Sequence, residues 1–261
     1  MYKIANCFFN ICIESTELEE CWKKFKIFNK NEQADIVFES MGFNQLNRDI
    51  AYMQLKNSDC IITIEEYVMV ICENYSVAYT QNAKKEIYST FLCYLFYSKS
   101  AQRRMIQFHS SLIDYQGRGL MFLGPSGIGK TTQAELWNQY RDALIISGDI
   151  VFVQETEEAF LGWGTPWHGS SPYCENTNVP VDALIILKQA PENSIRKLEG
   201  FEKVTAVSNS VFYPRWLENG MELCLETLDH LLSKIPVYEL SCRPDEEAVE
   251  LTEKTIFGRE H

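Results

Sequence analysis

Gly124-Pro125-Ser126-Gly127-Ile128-Gly129-Lys130-Thr131 is the stretch on which the reading of this chain turns. It satisfies the pattern G-x-x-x-x-G-K-[ST] at every defined position. Before it, Leu120-Met121-Phe122-Leu123 is a short apolar run that reads as a buried strand. After it, Thr132-Gln133-Ala134-Glu135-Leu136-Trp137 reads as the start of a helix. A strand, a glycine-rich loop and a helix N-terminus in that order make an anion cradle. Backbone N–H groups converge on the anion, and the helix dipole favours negative charge. The expected ligand is ATP with Mg²⁺. Lys130 would meet the β- and γ-phosphates, Thr131 would offer its hydroxyl to the metal, and the backbone of Gly124 and of residues 126–132 would line the phosphates.

Working outward, Ala143-Leu144-Ile145-Ile146 reads as a second buried strand, so strand, helix and strand suggest a right-handed parallel βαβ unit. Asp149 follows in Ser147-Gly148-Asp149. At the C-terminal end of that strand it is placed to serve the same Mg²⁺ as Thr131, because ligands gather at such ends in open parallel sheets. The alternative is an ordinary turn residue. Upstream, residues 109–113 read as a strand that forms a hairpin with residues 120–123 through a turn at Tyr115-Gln116-Gly117-Arg118-Gly119.

The combination of Phe108-His109-Ser110-Ser111, the loop with its preceding strand, and Leu144-Ile145-Ile146-Ser147-Gly148-Asp149 resembles the HPr kinase/phosphorylase family and its structural relative, ATP-dependent phosphoenolpyruvate carboxykinase. The match covers roughly residues 105–153. It implies an α/β fold: a carboxykinase/HPr kinase-like P-loop core with a mixed sheet, here joined to a β-rich N-terminal half. It also implies that His109 lies beside the γ-phosphate and helps hold the metal. Two departures limit what carries over. The families show a pair of aspartates where this chain has Gly148-Asp149, so the residue resembling the HPr kinase general base is missing. The Arg-Gly-Leu-Gly signature of protein phosphotransfer is absent too, and the chain is too short for a carboxykinase's second half. The resemblance therefore implies a phosphotransferase acting on a small-molecule or peptide hydroxyl. The alternatives are a nucleotide-binding regulatory module with little turnover, and a carboxykinase-type lyase.

Gly162-Trp163-Gly164-Thr165-Pro166-Trp167-His168-Gly169-Ser170-Ser171-Pro172-Tyr173 is rich in glycine, aromatics and hydroxyls. Loops of that composition carry ligands. Its histidine, His168, is a candidate replacement base, and Ser170, Ser171 and Glu175 are candidates for holding the acceptor. The structural alternative is a loop whose tryptophans plug the core. Similar Gly-Thr-Pro-Trp loops occur in HPr-kinase-like proteins of unassigned substrate. Arg118 and Arg243 are candidate phosphate contacts, with a surface ion pair as the ordinary alternative.

The whole chain bounds these readings. Its 261 residues are 46% hydrophobic and 23% charged, the composition of a globular protein. Its formal charge of −12 argues against nucleic acid as a partner. The nine cysteines include no C-x-x-C pair, which argues against a zinc site or a disulfide framework and suggests thiols in a reducing compartment. No apolar run is long enough to span a bilayer, and residues 1–7 lack a secretory layout, so the expected location is cytoplasmic, away from membranes. The oligomeric state is left open. Residues 1–98 are expected to form the β-rich subdomain, and 99–261 the nucleotide-binding core. Within the first, residues 7–13, 35–39, 51–55, 60–64 and 68–79 are candidate strands. A short helix over 18–25 starts at Ser15 or Thr16, and a buried helix spans 83–97. In the core, strands are expected at 151–153, 181–187 and 237–240, and helices at 221–232 and 244–254.

Overall fold

The computed structural model describes residues 1–13, 18–28, 32–41 and 57–258; the candidate strand 51–55 and the helix start at Ser15 or Thr16 lie outside them. The chain is a mixed α/β protein with a β-rich N-terminal half. It divides into two compact units: Met1–Arg103 with Pro214–Leu223, and Arg104–Tyr213 with Cys224–His261.

The first unit carries six strands, β1 (Tyr2–Ile4), β2 (Cys7–Cys12), β3 (Ile36–Met41), β4 (Cys60–Ile64), β5 (Tyr67–Cys72) and β6 (Val77–Gln81). They form one sheet in the order β1-β2-β3-β6-β5-β4. A 3-10 helix, Glu20–Phe25, buries Cys21, Trp22 and Phe25, and the ring of Trp22 meets Tyr2 edge-on at 5.6 Å. Helix α1 (Lys85–Ala101) lays an aromatic face on the sheet: Tyr88 meets Phe38, and Phe96 meets Phe9, each at 6.0 Å. The expected strand over 68–79 is two strands. Glu73, Asn74 and Tyr75 all take positive φ and turn the chain, so β5 and β6 pair antiparallel.

In the second unit the chain order is β7 (Met105–Tyr115), β8 (Arg118–Leu123), α2 (Lys130–Arg141), β9 (Leu144–Ser147), β10 (Ile150–Glu155), β11 (Phe160–Trp163) and β12 (Asn178–Gln189). There follow β13 (Ser194–Leu198), α3 (Gly200–Ser208), β14 (Val211–Phe212), α4 (Gly220–Lys234), β15 (Val237–Cys242) and α5 (Glu246–Phe257). Helix α4 has its first residues in the other unit. The nine-stranded sheet runs β11-β10-β7-β8-β12-β15-β13, with β9 and β14 also on β7. Because β11 bonds to β12 as well as β10, the strands β11, β10, β7, β8 and β12 form a closed circuit.

Strand alternation divides the sheet's side chains between two faces. Met121 and Leu123 join Phe108, Ile186 and Val237 under Leu228 and Leu231 of α4. Leu120 and Phe122 join Ile113 and Ile185 under Ala134 and Trp137 of α2 and Val249 of α5. Helices thus cover both faces, the layered solution by which a mixed sheet hides its two apolar surfaces.

Strands β8 and β9 run parallel to each other, as the strand–helix–strand reading expects, but do not pair; each runs antiparallel to β7, on opposite edges. Strand β8, in the hairpin, occupies one edge of β7, and the strand returning from α2 occupies the other. As expected, Asp149 follows the C-terminal end of β9, in the interruption between β9 and β10. Both β9 and β10 lie antiparallel along the same edge of β7, with Ser147 opposite Leu112 and Ile150 opposite His109. The parallel neighbours of β8 are β12 and, beyond it, β15.

Candidate functional site

The loop between β8 and α2 turns on glycines, with φ +78° at Gly127 and +116° at Gly129, a region that L side chains rarely enter. Gly129 occupies the N-cap of α2; the helix has no side-chain cap and no acidic residue in its first turn. Its N-terminal dipole and N–H groups are left for an anion. Lys130 is buried, and its Nζ folds back to donate to the carbonyls of Gly124 at 3.1 Å and Pro125 at 3.2 Å. Burial pushes its ammonium below the ordinary lysine value, and the Asp149 carboxylate partly opposes that shift. The buried Ser111 hydroxyl donates to the Lys130 carbonyl at 2.9 Å, tying the helix start to β7.

Asp149 and its neighbours are held by the β7 ladder. The Ser110 amide donates to the Asp149 carbonyl at 2.9 Å. His109, on β7, sets its Nε2 2.9 Å from Asp149 Oδ1, and Phe212 lies 6.2 Å from the imidazole, ring to ring. The Thr131 hydroxyl donates to the Gly148 carbonyl at 3.1 Å, one peptide from Asp149. Lys130, Thr131, His109 and Asp149 therefore converge. Thr131 and Asp149 supply the hard oxygens that Mg²⁺ takes, whereas the imidazole of His109 is a poorer match and is engaged with Asp149.

The loop begins later than expected, at Gly164, since the first two residues of the aromatic segment belong to β11. Trp163 and Trp167 are buried, the latter 6.1 Å from Phe152 ring to ring, so the tryptophans do fill the core edge. The rest folds back over the interruption in β9–β10 as a strap. A Cβ on Gly169 would lie 1.8 Å from Asp149 Oδ2, and a Cβ on Gly148 would lie 1.8 Å from the Ser171 hydroxyl oxygen. The His168 Nδ1 hydrogen-bonds to the Ser171 carbonyl, and the Ser171 amide donates back to the His168 carbonyl at 3.0 Å. Tyr173 closes the strap by donating its hydroxyl to Glu135 of α2 at 3.1 Å. Sequence reasoning did not find the Ser171–Gly148 contact. Its one signal was the glycine at 148.

Both candidate arginines are engaged in ion pairs. Arg118 pairs with Asp182 and stacks on Phe257 at 4.0 Å. Arg243 gives its donors to Asp245 and Glu247, each at 2.7 Å, and to the Pro191 carbonyl at 3.1 Å.

Two clefts border the loop. The larger, ≈ 880 Å³, runs from Gly124 and Pro125 past Phe201 and Thr205 to Ser210, whose carbonyl accepts from the His109 amide at 2.8 Å. The smaller, ≈ 540 Å³, lies between Gly127, Gly129, Thr132 and Gln133 on one side and residues 189–191 and 242–244 on the other. The C-terminal ends of β8, β12 and β15, which run parallel, meet around these clefts, the customary place for a ligand in such a sheet. Among the described residues no helix is long and apolar enough to cross a membrane.

These features define a mixed α/β protein with a glycine-rich loop that opens onto an uncapped helix, beside an Asp–His pair. Residues 70–256 match the family described as SynChlorMet cassette protein ScmC, and the chain belongs to that family. No curated protein matches it. Among solved structures, the HPr(Ser) kinase/phosphatase from Coxiella burnetii aligns with a TM-score of 0.35 and 11% identity, over 57% of this chain and 95% of that one. A likeness that distant gives no residue a role.

Proposed function

We propose that the second unit binds Mg-ATP and transfers its γ-phosphoryl group to a hydroxyl of a small-molecule or peptide acceptor. The observation that carries this is the uncapped start of α2, with Lys130 on the loop and Thr131 linked through Gly148 to Asp149. Phosphoryl transfer depends chiefly on positioning and charge neutralisation. The loop amides and Lys130 hold the phosphates. Thr131 and Asp149 hold the Mg²⁺, which when bound neutralises phosphate charge. His109 orients the Asp149 carboxylate through its Nε2. His168, held by its Nδ1 contact with the Ser171 carbonyl, is the candidate base for the acceptor's proton.

Calorimetric titration with Mg-ATP tests the reading. Lys130→Ala should lose most of the affinity, and an unchanged affinity would remove the loop from nucleotide binding. Asp149→Asn should weaken the Mg²⁺ dependence of the remaining binding. Screening hydroxyl-bearing metabolites and peptides for stimulated ADP release then seeks the acceptor.

One observation favours a second reading, a nucleotide-binding regulatory module with little turnover. Ser171 fills the space beside Gly148, so that position offers no second carboxylate. Tight Mg-ATP binding without stimulated ADP release is the result that reading expects.

A further inference from the structure

The ≈ 540 Å³ cleft has a feature that phosphate binding does not use. Gln133, in the first turn of the twelve-residue helix α2, forms part of its wall and is 3% exposed. Its Nε2 donates to the Cys242 sulfur at 3.3 Å, and its Oε1 has no hydrogen-bond partner. Buried acceptors are nearly always paired, so an orphaned one in a cleft wall points to a donor that arrives with a ligand.

The rest of the wall narrows the ligand's chemistry. Ile128, Leu187, Pro191 and Pro244 supply apolar surface. The two cationic side chains there are already neutralised, Arg243 by Asp245 and Glu247, and Lys188 by Glu239 at 2.5 Å. Burial and the nearby Asp245 charge raise the Cys242 thiol to about 11, so it stays neutral. A flat, uncharged ring with an N–H donor on its edge fits this wall. A second anion does not. The cleft is also continuous with Gly129 and Thr132, where the phosphates would lie, so one molecule can reach both.

We propose that this cleft seats the adenine ring of the nucleotide and that Gln133 Oε1 accepts a hydrogen bond from its exocyclic amine. Gln133 is thereby the residue that sets base preference. The inference rests on the nucleotide reading above and adds to it the identity of the base and the residue that reads it. A side chain that stays unpaired with the wrong ligand discriminates strongly, because the analogue lacking the donor leaves the buried acceptor orphaned.

The test compares Mg-ATP with Mg-purine riboside triphosphate, which is ATP without the 6-amino group, and with inorganic tripolyphosphate, by calorimetry. The wild-type chain should bind ATP on the order of tenfold more tightly than the purine analogue. In Gln133→Met, close in shape but without the amide, that ratio should fall to about one while tripolyphosphate binds as before. Its melting temperature, measured without ligand, should change little, since losing the unpaired buried acceptor offsets losing the weak hydrogen bond to the Cys242 sulfur. Equal wild-type affinities for ATP and the purine analogue overturn the inference without need of any variant. So does a preference that survives in Gln133→Met. In both cases binding of tripolyphosphate leaves the phosphate-loop reading standing. If none of the three ligands binds, the nucleotide reading fails and the base site fails with it.

Discussion

Gly148 and Gly169 are the residues at which the site is most tightly constrained. Each brings backbone against a partner far along the chain, Gly148 against Ser171 and Gly169 against Asp149. Gly148→Ala should therefore destabilise the protein by about 1–3 kcal/mol, the cost of overpacking a closed position. Ser171→Gly should restore most of that loss when combined with it. Urea unfolding of the two single variants and the double variant measures the coupling, and additive losses would show that the strap does not press on Gly148. Gly169→Ala adds a Cβ at positive φ against the Asp149 carboxylate, so it should weaken Mg²⁺-dependent nucleotide binding more than it lowers stability. Calorimetry beside a thermal melt separates the two effects. At this scale the sequence spoke through local pattern. Lys130, Thr131 and Asp149 stood out because loop, helix start and following strand are contiguous in the chain. The Ser171 contact did not, because a fold-back of the strap creates it and no short spacing encodes it.

Elements with a strong apolar pattern were legible, and those without one were not. Strands β8 and β12 and helices α1 and α4 match runs that the sequence marked out. Strand β13 escaped notice because it is an edge strand with Arg196 and Lys197 exposed, so it has no alternation to read. Helix α3 escaped because Val207 is its one fully buried residue. Residues 68–79 read as a single strand because the turn's Glu73 and Tyr75 are not turn formers by type. Helix α5 shows a finer shift. It was expected to start at Pro244, but Asp245 caps it from outside, its side chain accepting from the Ala248 amide at 3.2 Å. Asp245→Ala should cost ~1 kcal/mol at neutral pH. The hydrogen bond from Arg243 holds the Asp245 carboxyl below its ordinary value, outweighing the small effect of burial. A depressed carboxyl adds stability that is present above its unfolded value, near about 3.9, and is lost as pH falls through its folded value. The gap between wild type and Asp245→Ala should accordingly stay constant from pH 7 to 5 and shrink toward pH 3. Urea melts across that range check it, and a gap that widens on acidification would contradict the assigned cap.

For the whole molecule, the net charge of −12 acts at longer range than any contact in the site. Under the proposed reading it would repel an incoming anionic nucleotide until the ligand comes under the loop and Lys130. The association rate of Mg-ATP should therefore rise as ionic strength goes from about 10 to 150 mM, since salt shortens the reach of that repulsion. Stopped-flow traces would show it, and a falling rate would mean that a local positive field governs the encounter. Composition made this legible from the start, whereas the closed circuit of β11, β10, β7, β8 and β12 was not, because ring closure depends on pairings between distant segments. The interruption in β9–β10 bears on speed. Asp149 is fixed at its backbone inside a ladder that continues on both sides, with its carbonyl bonded to the Ser110 amide. Under the proposed reading, the carboxylate need only turn about its side-chain bonds to take up a cation, a motion of picoseconds to nanoseconds, rather than wait microseconds for a loop to open.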